Sequence, residues 1–133
     1  VQSRNIFARL AKQLLAEGDT TRAIEVLDRA IEEMPFNQIR HSYIQTIPLI
    51  EAYYMAGAYD KGNAILDDYT KILREYIDYY FRFKGKQATL VQNQLRNNIS
   101  LLYELYTLAL QYHQNDEAST IQQYFVGKGL MDA

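Results

Sequence analysis

The sequence predicts an all-α fold built from antiparallel helical hairpins, about three hairpins and six helices in one domain spanning 1–133. Three observations carry this. Apolar residues recur at helix-face spacing along most of the chain. Only 2 Pro and 6 Gly occur among 133 residues, too few turn formers for a domain of many β-hairpins. The Gly18 turn recurs at Gly57, 39 residues further on, with helical patterns on both sides, and a period of this size marks stacked helical units.

The first hairpin occupies about 4–37. Ile6, Leu10, Leu14 and Leu15, with Phe7 and Ala11, form the apolar face of a helix over Asn5–Glu17. Gly18 can take the left-handed conformation that ends a helix, and Asp19 or Thr20 can cap the next. Ala23, Ile24, Leu27, Ala30 and Ile31 then line a helix over Thr21–Glu33, which stops at Met34-Pro35 because proline disfavours helix in the residue before it.

The second hairpin occupies about 41–83. Leu49, Ala52, Tyr53 and Ala56 form a stripe ending at Gly57, in a helix that begins near Ser42 and carries Pro48 as an interior kink. Ile65, Leu66, Tyr69, Ile72, Leu73 and Tyr76 continue from Asp60 to about Phe83, where Gly85 ends the helix. The third hairpin occupies about 87–126. Its first helix runs over about Gln87–Gln114 with Val91, Leu95, Ile99, Leu102, Tyr106 and Ala109 inward and Gln92, Arg96, Asn97, Ser100, Glu104, Thr107 and Gln111 outward. Asn115-Asp116 turns the chain into a short helix, Glu117–Phe125, and Leu130-Met131 belong to a fraying tail.

Composition narrows the function. Hydrophobic residues make up 48% and charged residues 23%, an ordinary globular mixture. The formal charge of −2 gives no basic surplus for duplex nucleic acid. Cysteine is absent, which excludes disulfides, thiolate zinc sites and cysteine nucleophiles. No apolar run approaches the roughly 20 residues of a membrane span. The first residues carry no initiator Met and no signal-peptide core, as expected of a piece of a longer protein.

Catalytic motifs are not found. His41 lies near the start of a helix and His113 near the end of one, where a cation suits the helix dipole. Glu32-Glu33, Asp67-Asp68 and Asp116-Glu117 are adjacent pairs that point apart on a helix and so do not share one site. Gly85-Lys86 and Gly127-Lys128-Gly129 lack the spacing of a phosphate loop. No serine sits in a nucleophile elbow. The expectation is a non-enzymatic chain with no metal and no cofactor.

Residues Arg4–Asn37 resemble a tetratricopeptide repeat. Phe7, Leu10-Ala11, Leu14, Gly18-Asp19, Ala23, Leu27, Ala30 and Pro35 stand in that family's register. The resemblance implies a short right-handed superhelix in which Ala11, Ala23 and Ala30 are small because paired helices approach there. The second hairpin departs from the pattern: Ile50, Gly62 and Tyr69 stand where small, Ala and small residues are expected. Such repeats line a concave face with their first helices, which implies a groove for a protein or peptide segment. Its lining would be Arg9 and Lys12, then Glu51, Tyr54 and Met55, then Asn93, Arg96 and Asn97, with Asn5, Ala16, Ile44 and Ser100 flanking. Tyr54 is the candidate anchor, since Tyr is enriched at binding hot spots. Some family members clamp a carboxylate with repeated Lys and Asn; here Lys12 is followed by the acid Glu51.

A narrower resemblance rests on Ala23–Arg29, Met34-Pro35, Pro48–Gly57 and Tyr76–Tyr80. These are similar to the C-terminal region of large multi-spanning bacterial membrane proteins with a glycosyltransferase-like N-terminal part. It implies an extracytoplasmic (periplasmic) accessory domain that positions substrate or stabilises the catalytic part; otherwise the chain is expected in the cytoplasm. The 12 tyrosines, concentrated on Asp60–Phe83 and Gln87–Gln114, also fit self-association.

Overall fold

The structure, a computed structural model, describes the backbone of residues 2–32 and 43–133 and the side chains of 6–32 and 46–133. The expected features at Met34-Pro35 and His41 lie outside the described residues. Among the described residues there are seven helices and no strand. They are α1 (Gln2–Ala16), α2 (Thr20–Glu32), α3 (Tyr43–Met55), α4 (Tyr59–Phe81), α5 (Gly85–Leu90), α6 (Gln92–Gln111) and α7 (Asn115–Gly127). The all-α class is therefore as the sequence predicts. The chain groups into two compact units, Val1–Leu66 and Asp67–Ala133, whose boundary falls within α4.

In the first unit, alanines make the close approaches. Ala8 and Ala11 of α1 and Ala23 and Ala30 of α2 are all buried, and they share a core with Leu27, Leu49, Ala52 and Tyr53. Methyl side chains let the backbones come near, and larger neighbours fill the gaps; fully burying one leucine such as Leu27 contributes about 1.5–3 kcal/mol. Ile6 and Leu10 do not belong to this core. They are 58% and 43% exposed, because the α1 face that turns inward carries Ala8 and Ala11. Helix α3 begins at Tyr43 and retains Pro48 in its interior, as the pattern predicts. It is buried on most sides: Leu49, Ile50, Ala52, Tyr53 and Tyr54 are all inaccessible.

One turn recurs. At Gly18 the backbone is left-handed (φ +83°), the Gly18 N–H donates to Leu15 O at 3.0 Å and the Asp19 N–H to Leu14 O at 2.8 Å. Gly57 repeats it at φ +78°, with Gly57 N–H to Tyr54 O (3.0 Å) and Ala58 N–H to Tyr53 O (2.9 Å). This pair of bonds closes a helix end by satisfying carbonyls the helix leaves open. The third occurrence is at His113, φ +60°, with His113 N–H to Leu110 O (3.1 Å) and Gln114 N–H to Ala109 O (2.8 Å). The turn therefore lies ahead of the expected Asn115-Asp116, and α7 starts at Asn115 rather than Glu117.

In the second unit, Tyr69, Leu73 and Ile77 of α4, Leu102, Leu105 and Ala109 of α6, and Ala118, Ile121 and Phe125 of α7 are buried. The outward face of α6 is as the sequence predicts: Gln92, Arg96, Asn97, Ser100, Glu104, Thr107 and Gln111 are all exposed. The single long helix expected over Gln87–Gln114 is instead two. Val91, at φ −100° and ψ 4°, separates α5 from α6, and α5 buries no residue. Gly85 opens α5 at φ +58° rather than ending α4, which stops at Phe81. The tail does not fray from its helix. Gly129 (φ +73°) forms the same turn a fourth time, with Gly129 N–H to Val126 O (3.1 Å) and Leu130 N–H to Phe125 O (2.8 Å).

Candidate interaction surfaces

The expected groove residues fall in both units. In the first, Arg9 and Met55 are exposed, whereas Lys12 and Glu51 are half-buried and pair with each other. The Lys12 ammonium donates to Glu51 Oε1 at 2.6 Å, tying α1 to α3. These residues hold the same register position in successive first helices, 39 apart. Lys12 is thus neutralised from within and is not a free cation for a carboxylate clamp. The side chains of Asn5 and Ile44 lie outside the described residues. In the second unit, Asn93, Arg96 and Asn97 are exposed on α6.

Tyr54 corrects the expectation. It is 1% exposed, its hydroxyl donates to Asn63 Oδ1 at 2.6 Å, and its ring packs beside Tyr59 at 6.0 Å. A side chain so placed is a packing residue and cannot anchor a partner in an open groove. The adjacent Tyr53 is also buried, since α3 lacks the polar face that would turn one of two neighbouring residues outward.

Each unit carries an aspartate that receives a tyrosine hydroxyl and a lysine. Asp28 of α2 accepts from the Tyr53 hydroxyl at 2.8 Å and from Lys61 Nζ at 2.7 Å. Asp78 of α4 accepts from the Tyr124 hydroxyl at 2.6 Å, and Lys128 Nζ lies 2.7 Å from the same oxygen. The Arg74 guanidinium stands 5.2 Å from the Tyr124 ring centroid. Burial pushes each carboxyl up, but the lysine and tyrosine hydrogen bonds outweigh it, and both Asp28 and Asp78 sit below the usual carboxylate range. Burial, reinforced by the facing carboxylate, pushes Tyr53 and Tyr124 well above an ordinary phenol. The phenols stay protonated and keep donating, so these clusters fasten helices.

The described residues form grooves in both units. In the first unit, Phe7, Leu10 and Leu14 of α1 face Arg22, Glu25, Val26 and Arg29 of α2 across about 360 Å³. In the second, a polar groove of about 240 Å³ lies between Asp67, Thr70, Lys71 and Arg74 of α4 and Asp116, Glu117 and Thr120 of α7. Its three acids face two cations, Lys71 and Arg74, and among the described residues no group of three His, Asp or Glu could hold a metal ion.

A further groove, about 430 Å³, is lined by Ile99, Ser100, Tyr103 and Glu104 of α6, Phe125 of α7, and Leu130 and Met131 of the tail. Tyr103 is 50% exposed and Leu130 38%. The sequence pattern places Ser100 beside a groove face but reads Leu130-Met131 as loose. The signal for the tail is Gly129, whose left-handed turn folds Leu130 back toward Phe125. Comparison with known protein families, with curated proteins and with solved structures returns no match for this chain.

Proposed function

We infer that this chain is a non-enzymatic interaction module that docks a peptide or protein segment in the groove between α6 and α7. The observation that carries the reading is the groove's lining. Ile99, Tyr103, Phe125, Leu130 and Met131 give it an apolar floor, and Ser100 and Glu104 supply polar groups at its rim. Its volume falls within the about 300–1,000 Å³ of ordinary binding pockets. A half-exposed tyrosine presents a large rigid contact surface at small entropic cost, as hot-spot residues do.

The architecture supports the same reading. The turn repeated at Gly18 and Gly57 and the 39-residue register between them fit divergent, tetratricopeptide-like hairpins, units suited to holding segments along their surface. Glu104 favours a segment with a basic residue beside its apolar anchors.

Selection from a random linear-peptide display library tests this. Wild-type chain should enrich a consensus of apolar anchors next to Lys or Arg, and Tyr103→Ser should abolish the enrichment while helicity by circular dichroism is unchanged. No enrichment, or a consensus indifferent to Tyr103→Ser, contradicts the reading.

A further inference from the structure

The charges of this chain are unevenly distributed. From Tyr79 to Tyr103 it carries Arg82, Lys84, Lys86 and Arg96 and not one Asp or Glu, although the whole is formally −2. The first three cluster where α4 gives way to α5, and all four are exposed. None of them pairs with a carboxylate among the described residues.

Aromatic and aliphatic surface accompanies these cations. Tyr79 is 51% exposed, with its ring edge-on to Phe83 at 5.2 Å and to Tyr80 at 5.5 Å. Tyr80 in turn stacks on Tyr76 at 6.3 Å. Leu90 ends α5 at 78% exposure, and α5 buries nothing. A single exposed leucine is ordinary. A leucine on a helix with no buried residue, next to unpaired cations and an exposed tyrosine, is a different observation.

Tyrosine combines an apolar body with a wet hydroxyl, the combination favoured at the boundary between headgroups and acyl chains. Lysine and arginine are drawn to the negative potential of anionic lipids. A helix that buries nothing within the protein can lay its apolar residue into that boundary instead.

We propose that Tyr79–Leu90 is a docking surface for an anionic lipid bilayer, with Arg82, Lys84 and Lys86 on headgroup phosphates and Tyr79 and Leu90 at the headgroup–acyl boundary. The contact is peripheral: among the described residues no helix is long and apolar enough to cross a membrane. A bilayer fits better than single-stranded nucleic acid. The Tyr79, Tyr80 and Phe83 rings already engage one another, and Leu90 offers no face for a base to stack on. The proposal does not depend on the α6–α7 groove.

Co-sedimentation of the 133-residue chain with vesicles tests it, comparing phosphatidylcholine alone with phosphatidylcholine mixed with phosphatidylglycerol. The chain should sediment with the anionic vesicles only, and less so as salt screens the attraction. Each cation near such a surface is worth about a fivefold gain in partitioning, so R82Q/K84Q/K86Q should lose on the order of a hundredfold. Leu90→Ser should lose several-fold and keep the same salt dependence. The control R22Q/K71Q should bind as wild type.

Four results would each overturn the proposal: no binding to anionic vesicles, equal binding to neutral ones, an R82Q/K84Q/K86Q variant that binds as wild type, or a control that loses as much. Tighter capture of a single-stranded oligonucleotide than of the vesicles would also do so, since the surface would then read a nucleic-acid polyanion.

Discussion

The ring of Tyr54 occupies the space that a side chain on Gly62 would need. A Cβ built on Gly62 would lie 2.7 Å from Tyr54 Cε1 and 2.8 Å from Cδ1. In the 39-residue register the corresponding pair of the first hairpin is Leu15 and Ala23. Where the first hairpin has a leucine and an alanine, the second has a large ring against a residue with no side chain. Gly62 stands where the repeat resemblance expects Ala, and the Tyr54 ring takes the space that a methyl there would need.

This pair makes the first prediction. Gly to Ala within a helix should gain roughly 0.5–1 kcal/mol, but overpacking against a ring typically costs about 1–3 kcal/mol. Gly62→Ala should therefore destabilise the chain. In a Tyr54→Leu background, the same change should stabilise it. Chemical denaturation of the four variants gives the coupling energy, expected at about 1 kcal/mol or more. Additive effects would show that Tyr54 and Gly62 do not constrain each other.

The turn at His113 makes the second. A non-glycine residue held left-handed costs roughly 1–2 kcal/mol, partly offset by the larger entropy that glycine loses on folding. His113→Gly should raise stability by about 0.5–1 kcal/mol and raise the melting temperature. Gly18→Ala should do the reverse, since Gly18 holds the same turn at φ +83° and the space beside it is open, leaving backbone strain as the cause.

The aspartate clusters set a pH dependence. Asp28 and Asp78 are held below the usual carboxylate range once their hydrogen bonds overcome burial. Their contribution to stability is complete above the unfolded value of about 3.9 and is lost as pH falls through the lower folded value. Asp67 has the opposite sign: burial and the neighbouring Asp68 push it up against the pull of Lys71, so it favours the folded state more as it protonates. Asp28→Asn/Asp78→Asn should flatten the acid limb of stability against pH and destabilise at neutral pH by about 1 kcal/mol per site, a modest figure because both carboxylates are partly solvated. An unchanged acid limb would show that these carboxylates do not govern acid unfolding.

Much of the fold can be read from residue size and spacing. Ala11, Ala23 and Ala30 predict close helix approach because only methyl groups permit it, and Gly18 and Gly57 predict turns because glycine tolerates a left-handed backbone. His113 turns the chain without such a mark. The break at Val91 is hidden for a different reason: the local pattern continues through it, and only its backbone dihedrals (φ −100°, ψ 4°) separate the two helices. The site was harder to read than the fold. Tyr53 and Tyr54 look like one inward and one outward residue until α3 is recognised as apolar on most faces, with Glu51 as its one charge. Even that charge is answered by Lys12. Tyr103 and Leu130 form a groove only because Gly129 folds the tail back, a contact between separate segments that periodicity does not encode.

The groove between α6 and α7 is tested most directly by isothermal titration of the peptide enriched on wild-type chain against wild type, Tyr103→Ser and Leu130→Ser. Binding should show a negative heat-capacity change, since apolar surface is buried, and each variant should lose about tenfold or more in affinity at unchanged helicity. Equal affinity for all three chains, or a peptide that binds with no heat-capacity change, would contradict it.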